Sequence, residues 1–316
     1  MLEAVARRLA SAALVLFGVS VLVFLIFFAT PGSDPAARLA GRGAAPETLA
    51  LVRAEYGLDR SMPLQYATIM RRLFVTRDLP SFVNRGQLVV PAVLHAAPVT
   101  MALVAGAAVL WLAAGLGIAL VSAWTGWGRA AVALGLLGVS IPAFWLGSIV
   151  TWATQGPLRT PWFAWVPPLG SPAATPGEWL RSMALPWATL AVLYAGIYGR
   201  ILRTSLAGAL LQDYARTARA KGLTETRVAL RHALPNAVFP ALALLGLDVG
   251  ALLGGGTVLI EVVFGLHGIG RLTYDALTRL DLAAVMACVL YGTVLVILAN
   301  AAVEAVQALL DPRRRT

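Results

Sequence analysis

Six long apolar runs constrain this chain more than any other feature of its sequence. Each carries few charges and is long enough to cross about 30 Å of hydrocarbon, which takes roughly 20 helical residues. Because backbone polar groups find no water inside a bilayer, such runs cross it as helices with internal hydrogen bonds. We predict an all-α polytopic membrane protein with six transmembrane helices at about 9–30, 98–121, 130–152, 183–202, 237–258 and 282–305.

The composition agrees with a membrane protein and argues against other classes. Apolar residues make up 59% and charged residues 13% of the 316 residues, whereas a soluble domain has about 45–50% and 25%. This leaves too little polar sequence to cover a soluble globule. A net charge of +10 would suit nucleic acid only on a soluble basic face, so we expect no nucleic-acid partner. We expect the single cysteine, Cys288, to be a small core residue.

The distribution of basic residues predicts the orientation of the chain. Arginine and lysine are concentrated near the N-terminus, in 199–232 and in the C-terminal tail. Six spans place these segments on one side, which the excess of positive charge assigns to the cytoplasm. The predicted organisation is a cytoplasmic N-terminus and first span (1–30), an extracytoplasmic insert (31–96), a core with the other five spans (97–308) and a cytoplasmic tail (309–316).

The most informative polar segment is an arginine-rich loop at 206–236. Residues 213–221 favour a helix that ends at Gly222. Glu225 favours the first turn of a second short helix, and Pro235 should break that helix. The spacing alone leaves two interpretations open: a loop held at the bilayer surface by anionic lipids, and a protruding element that docks onto a cytoplasmic partner.

This loop resembles the cytoplasmic signature of binding-protein-dependent ABC import permeases, which reads Glu-Ala-Ala, three residues, Gly, nine residues, Ile-x-Leu-Pro. Counted from Gly222, the triplet falls on Arg216-Thr217-Ala218 and the end on His232-Ala233-Leu234-Pro235. The glycine, leucine and proline match, whereas Arg216 replaces the glutamate and His232 the isoleucine. The run over 214–223 resembles the form seen in the dipeptide/oligopeptide/nickel branch. We call 206–236 the coupling loop.

The resemblance to that branch covers almost the whole chain. Its motifs occur in order at 31–35, 56–66, 140–147, 261–271 and 300–313. Two departures lie on the predicted outer side, where such permeases meet their binding protein. The run 77–82 replaces the usual Gly-Asp-Leu-Gly-x-Ser, and 266–270 replaces Trp-Pro-Gly-Leu-Gly. These departures bear on the ligand and leave the class unchanged.

The resemblance implies a type I ABC importer permease in the bacterial inner membrane, which forms half of a translocation pore. Its implied partners are a second homologous permease, two ABC ATPase subunits, an extracytoplasmic solute-binding protein and membrane lipids. The sequence has no Walker-type phosphate-binding motif, so we expect ATP and Mg on the ATPases and no enzymatic activity or cofactor in this chain. Peptides are the favoured substrate. Nickel chelates, haem precursors and oligosaccharides are alternatives, and a secondary transporter is a remote one.

Three sets of residues are candidates for functional contacts. We expect arginines of the coupling loop to pair with acidic residues of the ATPase, while Leu223 and Val228 fill its groove. An ionisable side chain within an apolar span costs about 2.5–3.5 kcal/mol and indicates a pore or a partner. The coupling candidates are Arg216, Thr217, Ala218, Arg219, Gly222, Leu223, Glu225, Val228, Arg231, Leu234 and Pro235; the pore candidates are Asp248, Glu261 and Asn300; the candidates for contacting the binding protein are Phe264, His267 and Arg271.

The interior acidic residues also have structural interpretations. Asp248 either contacts the ammonium group of a substrate in the pore or forms an interhelical hydrogen bond to Asn300 or Gln307. Glu261 either caps a loop or acts at a gate or a binding-protein contact. The three histidines fall in different loops without the spacing of metal ligands, so we expect no metal site.

Overall fold

The computed structural model describes residues 2–28, 34–40, 43–81, 83–84, 86–124, 128–157, 161–171 and 174–310, and the structural statements below concern these residues. They are almost entirely helical, with an isolated antiparallel bridge between Pro80 and Leu88. Up to the coupling loop, the helices are α1 (Leu2–Phe28), α2 (Pro35–Ala40), α3 (Pro46–Tyr56), α4 (Met62–Arg71), a π-helical turn (Arg72–Thr76), α5 (Val89–Trp124), α6 (Gly128–Val139), α7 (Ala143–Gln155), a 3-10 turn (Pro161–Phe163) and α8 (Pro176–Leu210).

The remaining helices begin inside the coupling loop and continue to the last described residue. They are interrupted by a π-helical turn at Ala229–Ala233 and by a kink at Leu252–Gly256, where Gly255 has a non-helical φ of 133°. The helices are α9 (Asp213–Ala220), α10 (Glu225–Val228), α11 (Leu234–Ala237), α12 (Phe239–Ala251), α13 (Val258–Phe264), α14 (Ile269–Thr278) and α15 (Leu282–Leu310).

Five described helical segments are long and apolar enough to cross a membrane, which confirms the all-α polytopic class. They correspond to the first, second, fourth, fifth and sixth predicted spans. Their bounds are Ala6–Phe28, Val89–Ser122, Pro176–Leu210, Phe239–Gly256 and Leu282–Leu309.

The third predicted span, 130–152, is divided into α6 and α7 by a break at residues 140–142. Pro142 has no N–H to donate and disfavours helical backbone at the residue before it. The two helices have 12 and 13 residues. At 1.5 Å per residue each is about 20 Å long or less, short of the hydrocarbon thickness. The count of six therefore stays a prediction.

Two helices begin earlier than the hydropathy pattern predicts. α5 starts at Val89 and contains Pro98, which the sequence places at the start of the span. α8 starts at Pro176, where Thr175 Oγ1 accepts a hydrogen bond from Glu178 N–H at 3.2 Å. Glu178 in turn accepts a hydrogen bond from Ala174 N–H at 2.8 Å. Such N-terminal capping can start a helix in polar sequence, ahead of its apolar part.

The chain divides into two compact units. The first unit comprises Met1–Met101, Leu253–Val262 and Leu266–Ile297, and the second comprises Ala102–Leu252, Val263–Gly265 and Leu298–Thr316. The predicted extracytoplasmic insert is therefore part of a larger packed body that includes α1, α14 and most of α13 and α15.

The first unit has an apolar core that joins the insert to α1 and α15. Tyr66 lies edge-on to Phe24 at 5.4 Å between ring centroids, and its hydroxyl shares a 2.7 Å hydrogen bond with Ser20. On the other side, the hydroxyl of Tyr291 donates to the carbonyl oxygen of Leu73 at 2.7 Å. Each aromatic ring thus adds buried apolar area while its hydroxyl finds a partner, as buried tyrosines require.

The second unit is organised by close contacts between helices at glycines. A Cβ atom added at Gly115 of α5 would lie 2.8 Å from Tyr198 Cβ and 3.1 Å from Gly199 N on α8. A Cβ at Gly135 of α6 would lie 2.8 Å from the Cα of Gly196 on α8. Small residues allow helix backbones to approach this closely, which is how helices gain packing energy in a membrane.

Two glycines of α5 provide a test of this packing. Gly115→Ala should lower the free energy of unfolding by about 1–3 kcal/mol, because the methyl group meets the backbone of α8. Gly117→Ala is the matched control, since a Cβ there has no atom within 4 Å. It should raise stability by about 0.5–1 kcal/mol through helix propensity alone. Thermal unfolding of the purified chain in mild detergent measures both, and shifts of the same sign would contradict the packing described.

Candidate functional site

The coupling loop contains a well-defined turn between α9 and α10. Gly222 has a φ of 80°, in the left-handed region that favours glycine. Its N–H donates to the carbonyl oxygen of Arg219 at 2.9 Å, and Leu223 N–H donates to that of Ala218 at 3.3 Å. This double hydrogen bond is a Schellman motif, which satisfies the last carbonyl groups of a helix. The predicted helix end at Gly222 is confirmed.

Arg219 connects three parts of the coupling loop. Its Nε donates to Glu225 Oε1 at 2.7 Å, its Nη2 donates to Glu225 Oε2 at 3.2 Å, and its Nη1 donates to the carbonyl oxygen of Leu210 at 3.0 Å. These hydrogen bonds hold the pKa of Glu225 below its usual value and raise the pKa of Arg219. The pair is exposed, so its contribution to stability is modest, but the bidentate geometry fixes the angle between α9 and α10.

A small apolar core lies beneath this turn. Ala215, Ala218 and Val228 are buried there, and Leu210 and Leu223 pack against them. The sequence predicts Val228 on a partner-facing surface, but its exposure is 0%. That prediction is wrong in this conformation, because Val228 fills the space between α9 and α10. The predicted surface position of Ala218 is wrong for the same reason, since Ala218 lies in the same core.

The exposed surface of the coupling loop combines basic and apolar side chains. The side chain of Arg216 is 76% exposed and lies 3.4 Å from the Asp213 carboxylate. Leu223 and Leu234 are half-buried. The apolar Leu230 is exposed, as expected of a residue that needs a partner or the bilayer surface, whereas the sequence interpretation missed the exposed Leu211 and Tyr214, although apolar side chains in a polar loop are a recognisable signal of docking. Exposed residues of this surface are Leu211, Tyr214, Arg216, Thr217, Leu230, Arg231 and Pro235.

Pro235 does not end the helical path, contrary to the prediction. The π-helical turn Ala229–Ala233 precedes it, and Leu234 N–H donates to the carbonyl oxygen of Ala229. Pro235 then occupies the first turn of α11, where a missing N–H costs little. The wider turn absorbs the proline, so helical backbone continues from α10 to α11, the short helix that precedes α12.

Glu261 forms a buried hydrogen-bonded cluster in the first unit. Its exposure is 0%. Oε1 accepts from the hydroxyls of Thr100 at 2.7 Å and Thr257 at 3.1 Å, and Oε2 accepts from Arg271 N–H at 2.9 Å. Thr100 Oγ1 also accepts from Ile269 N–H at 2.8 Å. We call these residues the Glu261 cluster. It joins α5 and α13 to the start of α14.

Two glycines make room for the Glu261 cluster. A Cβ atom at Gly268 would overlap the Glu261 carboxylate and the Thr100 hydroxyl. A Cβ at Gly270 would lie 2.8 Å from Val258 Cα and 2.9 Å from Glu261 Oε2. The Gly-x-Gly pattern at the start of α14 is therefore explained by the close approach of this carboxylate.

The candidates for binding-protein contact are placed differently from one another. Phe264 is 3% exposed, which removes it from the surface in this conformation and corrects the prediction. His267 is exposed, and the half-buried Arg271 lies 3.9 Å from Asp275.

Cys288 is buried, as predicted, and lines a cavity of about 180 Å³ in the first unit together with Thr100 and Thr273.

Asp248 does form an interhelical hydrogen bond, but with a partner that the sequence did not predict. Its Oδ2 accepts from the Tyr198 hydroxyl at 2.7 Å. Gln307 instead donates to the carbonyl oxygen of Leu242 at 2.7 Å, and Asn300 lies beside Gly246 on α12. In the described part of the chain, no three His, Cys, Asp or Glu side chains are grouped as metal ligands.

The Glu261 cluster generates a stability prediction. Glu261→Ala should cost about 1–3 kcal/mol of unfolding free energy for each buried donor that it leaves unpaired. Glu261→Gln should cost less, because its amide keeps one acceptor oxygen. Glu47→Gln, at an exposed carboxylate, should shift stability by less than about 0.5 kcal/mol. Thermal denaturation in detergent ranks the three variants, and equal midpoints for all of them would refute the anchoring role.

Comparisons with known proteins agree over the full length. A family model described as binding-protein-dependent transport system inner membrane component matches residues 116–316, and a model of the N-terminal part of such components matches residues 1–104. A putative peptide transport system permease protein of Brucella abortus is 36% identical over 315 residues, 98% of each chain. A glutathione transport system permease protein of Pectobacterium atrosepticum is 34% identical over 321 residues, 100% of this chain and 99% of the relative. A probable peptide ABC transporter permease protein of Sinorhizobium fredii is 32% identical over 321 residues, 98% of each chain.

The apolar spans, the coupling loop with its helix end at Gly222, and these matches lead to the same assignment. Membership implies a membrane-embedded permease that works with an ATPase and a binding protein. The chain belongs to the family of binding-protein-dependent transport system inner membrane components, the permeases of ABC importers.

Proposed function

We propose that this permease imports peptides, forming half of a translocation pore together with a second homologous permease. The names of its relatives, which are peptide and glutathione permeases, support this substrate class. ATP and Mg are bound by two ABC ATPase subunits on the cytoplasmic side, because the chain itself has no phosphate-binding motif. A solute-binding protein delivers the peptide to the outer side, where the exposed His267 and the half-buried Arg271 are candidate contacts.

The geometry of the coupling loop is the observation that carries this proposal. The Schellman turn at Gly222 and the Arg219 hydrogen bonds to Glu225 and Leu210 join α9, α10 and the end of α8. Such a braced element moves as a unit when a partner closes against it. Because the helical path continues through α11, the motion is passed on to the start of α12.

The exposed surface of the loop suits an ATPase groove. Arg216 and Arg231 are available to pair with acidic side chains, while Leu211, Tyr214 and Leu230 supply apolar contact. Aromatic residues and arginines are the side chains that contribute most to protein interfaces. The positive charge of this segment also supports a cytoplasmic location for the loop and for both termini.

Purification of the complex tests the importer assignment directly. The tagged chain, extracted gently from membranes of its source, should copurify with a second permease and with ABC ATPases, and the eluate should show vanadate-sensitive ATP hydrolysis. In proteoliposomes, uptake of a labelled dipeptide should require both ATP and the binding protein. Uptake by the chain alone, driven by an ion gradient, would instead indicate a secondary transporter.

Gly222 offers a test of the coupling role. Gly222→Val should uncouple ATP hydrolysis from peptide uptake, because a β-branched residue disfavours the left-handed turn by more than about 1–2 kcal/mol. Gly222→Asn is the matched control, since asparagine tolerates that conformation and a Cβ there has no atom within 4 Å. Uptake per ATP hydrolysed in proteoliposomes separates the variants. Full coupling in Gly222→Val would show that the turn is dispensable.

A further inference from the structure

Among the described residues, Asp248 is a carboxylate in the middle of an apolar span without a cationic partner. It lies on α12, nine residues after Phe239, and is half-buried. The Tyr198 hydroxyl donates to its Oδ2, while its Oδ1 accepts no hydrogen bond from the described residues. No Lys, Arg or His nitrogen of the described residues lies within 4.0 Å of this carboxylate.

The tyrosine that contacts this carboxylate belongs to an aromatic cluster of α5 and α8. The ring centroid of Trp111 is 4.6 Å from that of Tyr194 and 5.9 Å from that of Tyr198. Trp111 and Tyr198 are fully buried, whereas Tyr194 is half-buried. The close contact between Gly115 and Tyr198 fixes the position of the tyrosine. The arrangement combines a negative charge with aromatic groups whose faces attract cations.

The location of Asp248 restricts what its free oxygen can face. Hydrocarbon is excluded, since an ionised carboxylate in the middle of a span is costly unless it faces an aqueous cavity or a partner. One carboxylate with tyrosine and tryptophan supplies too few oxygen ligands for a divalent metal ion. A primary ammonium group, with three N–H donors and a compact positive charge, matches a carboxylate beside aromatic rings.

We propose that Asp248, Trp111, Tyr194 and Tyr198 form a subsite on the translocation path for the α-ammonium group of the transported peptide. This inference rests on the proposed function as a peptide importer. Asp248 supplies the countercharge, the half-buried Tyr194 supplies the aromatic surface, and the fully buried Trp111 packs behind the two tyrosines. Tyr198 is a positioning residue, because its hydroxyl holds one carboxylate oxygen and directs the other to the ligand.

Transport by the complete complex in proteoliposomes tests the subsite. Uptake of a dipeptide is compared with uptake of its N-acetyl form in wild type, Asp248→Asn and Tyr198→Phe, with the same binding protein throughout. Because that protein's own preference is common to all three, it cancels when the uptake ratios are compared. The ratio of dipeptide uptake to N-acetyl dipeptide uptake should fall about ten- to a hundredfold in Asp248→Asn. It should fall by less in Tyr198→Phe.

This assay distinguishes a failure of the subsite proposal from a failure of the proposed importer function. ATP-dependent uptake by wild type with an unchanged preference in Asp248→Asn would overturn the subsite and leave the importer intact. A wild-type complex without ATP-dependent peptide uptake would overturn the proposed function itself.

Cysteine accessibility provides a second, independent test. Because Cys288 is the only native cysteine, Tyr194→Cys can be labelled selectively in a Cys288→Ala background, with Val192→Cys on the same helix as the matched control. A water-soluble methanethiosulfonate should label Tyr194→Cys in the assembled complex, and the free dipeptide should slow that labelling about tenfold. The N-acetyl form should not slow it, and Val192→Cys should not be protected.

Four results of the labelling test would overturn the subsite. The first three are an unreactive Tyr194→Cys in a complex that still transports, equal protection by both peptide forms, and protection that survives Asp248→Asn. Protection of Val192→Cys by the same factor would do so too, because it would indicate a general conformational change in place of local contact.

Discussion

The absence of water from the hydrocarbon core is the constraint on which the rest of this structure depends. A polar group that is buried, or that lies within an apolar span, must find its partner inside the protein. Glu261 meets this requirement with hydroxyl and backbone donors, and Asp281 meets it with the Ser81 hydroxyl and Ala284 N–H. Asp248 receives one hydrogen bond from Tyr198. The first two carboxylates therefore hold segments together, whereas the third has one oxygen without a hydrogen bond from the described residues.

Close helix packing determines the position of the Asp248 carboxylate. Helices in a lipid environment gain little from the hydrophobic effect, so their association depends on close contact at small residues. Gly115 allows α5 to approach α8 at Tyr198, and the hydroxyl of that tyrosine reaches Asp248 on α12. The close packing at Gly115 thus positions Tyr198, and Tyr198 in turn positions the Asp248 carboxylate on a third helix.

Hydropathy and turn chemistry predict the elements of this chain better than its side-chain partners. The apolar runs and the glycine at 222 locate helices and one helix end, because both depend on local sequence. The break at Pro142 follows from local proline chemistry that a hydropathy average does not register, and the passage of helical backbone through Pro235 depends on the π-helical turn that precedes it. The burial of Val228 and the partner of Asp248 require knowledge of which helices touch, and one sequence does not contain it.

The coupling loop and the proposed ammonium subsite share the same two helices. α8 leads into the loop, α12 follows it, and the hydrogen bond from Tyr198 to Asp248 connects them. Asp248 is nine residues beyond the start of α12, which at 1.5 Å per residue is about 14 Å. A motion of the braced loop that shifts α12 against α8 would strain this hydrogen bond. On the proposed function, loss of the Tyr198 hydrogen bond would reorient the carboxylate and so link the movement of the loop to release of the ammonium group.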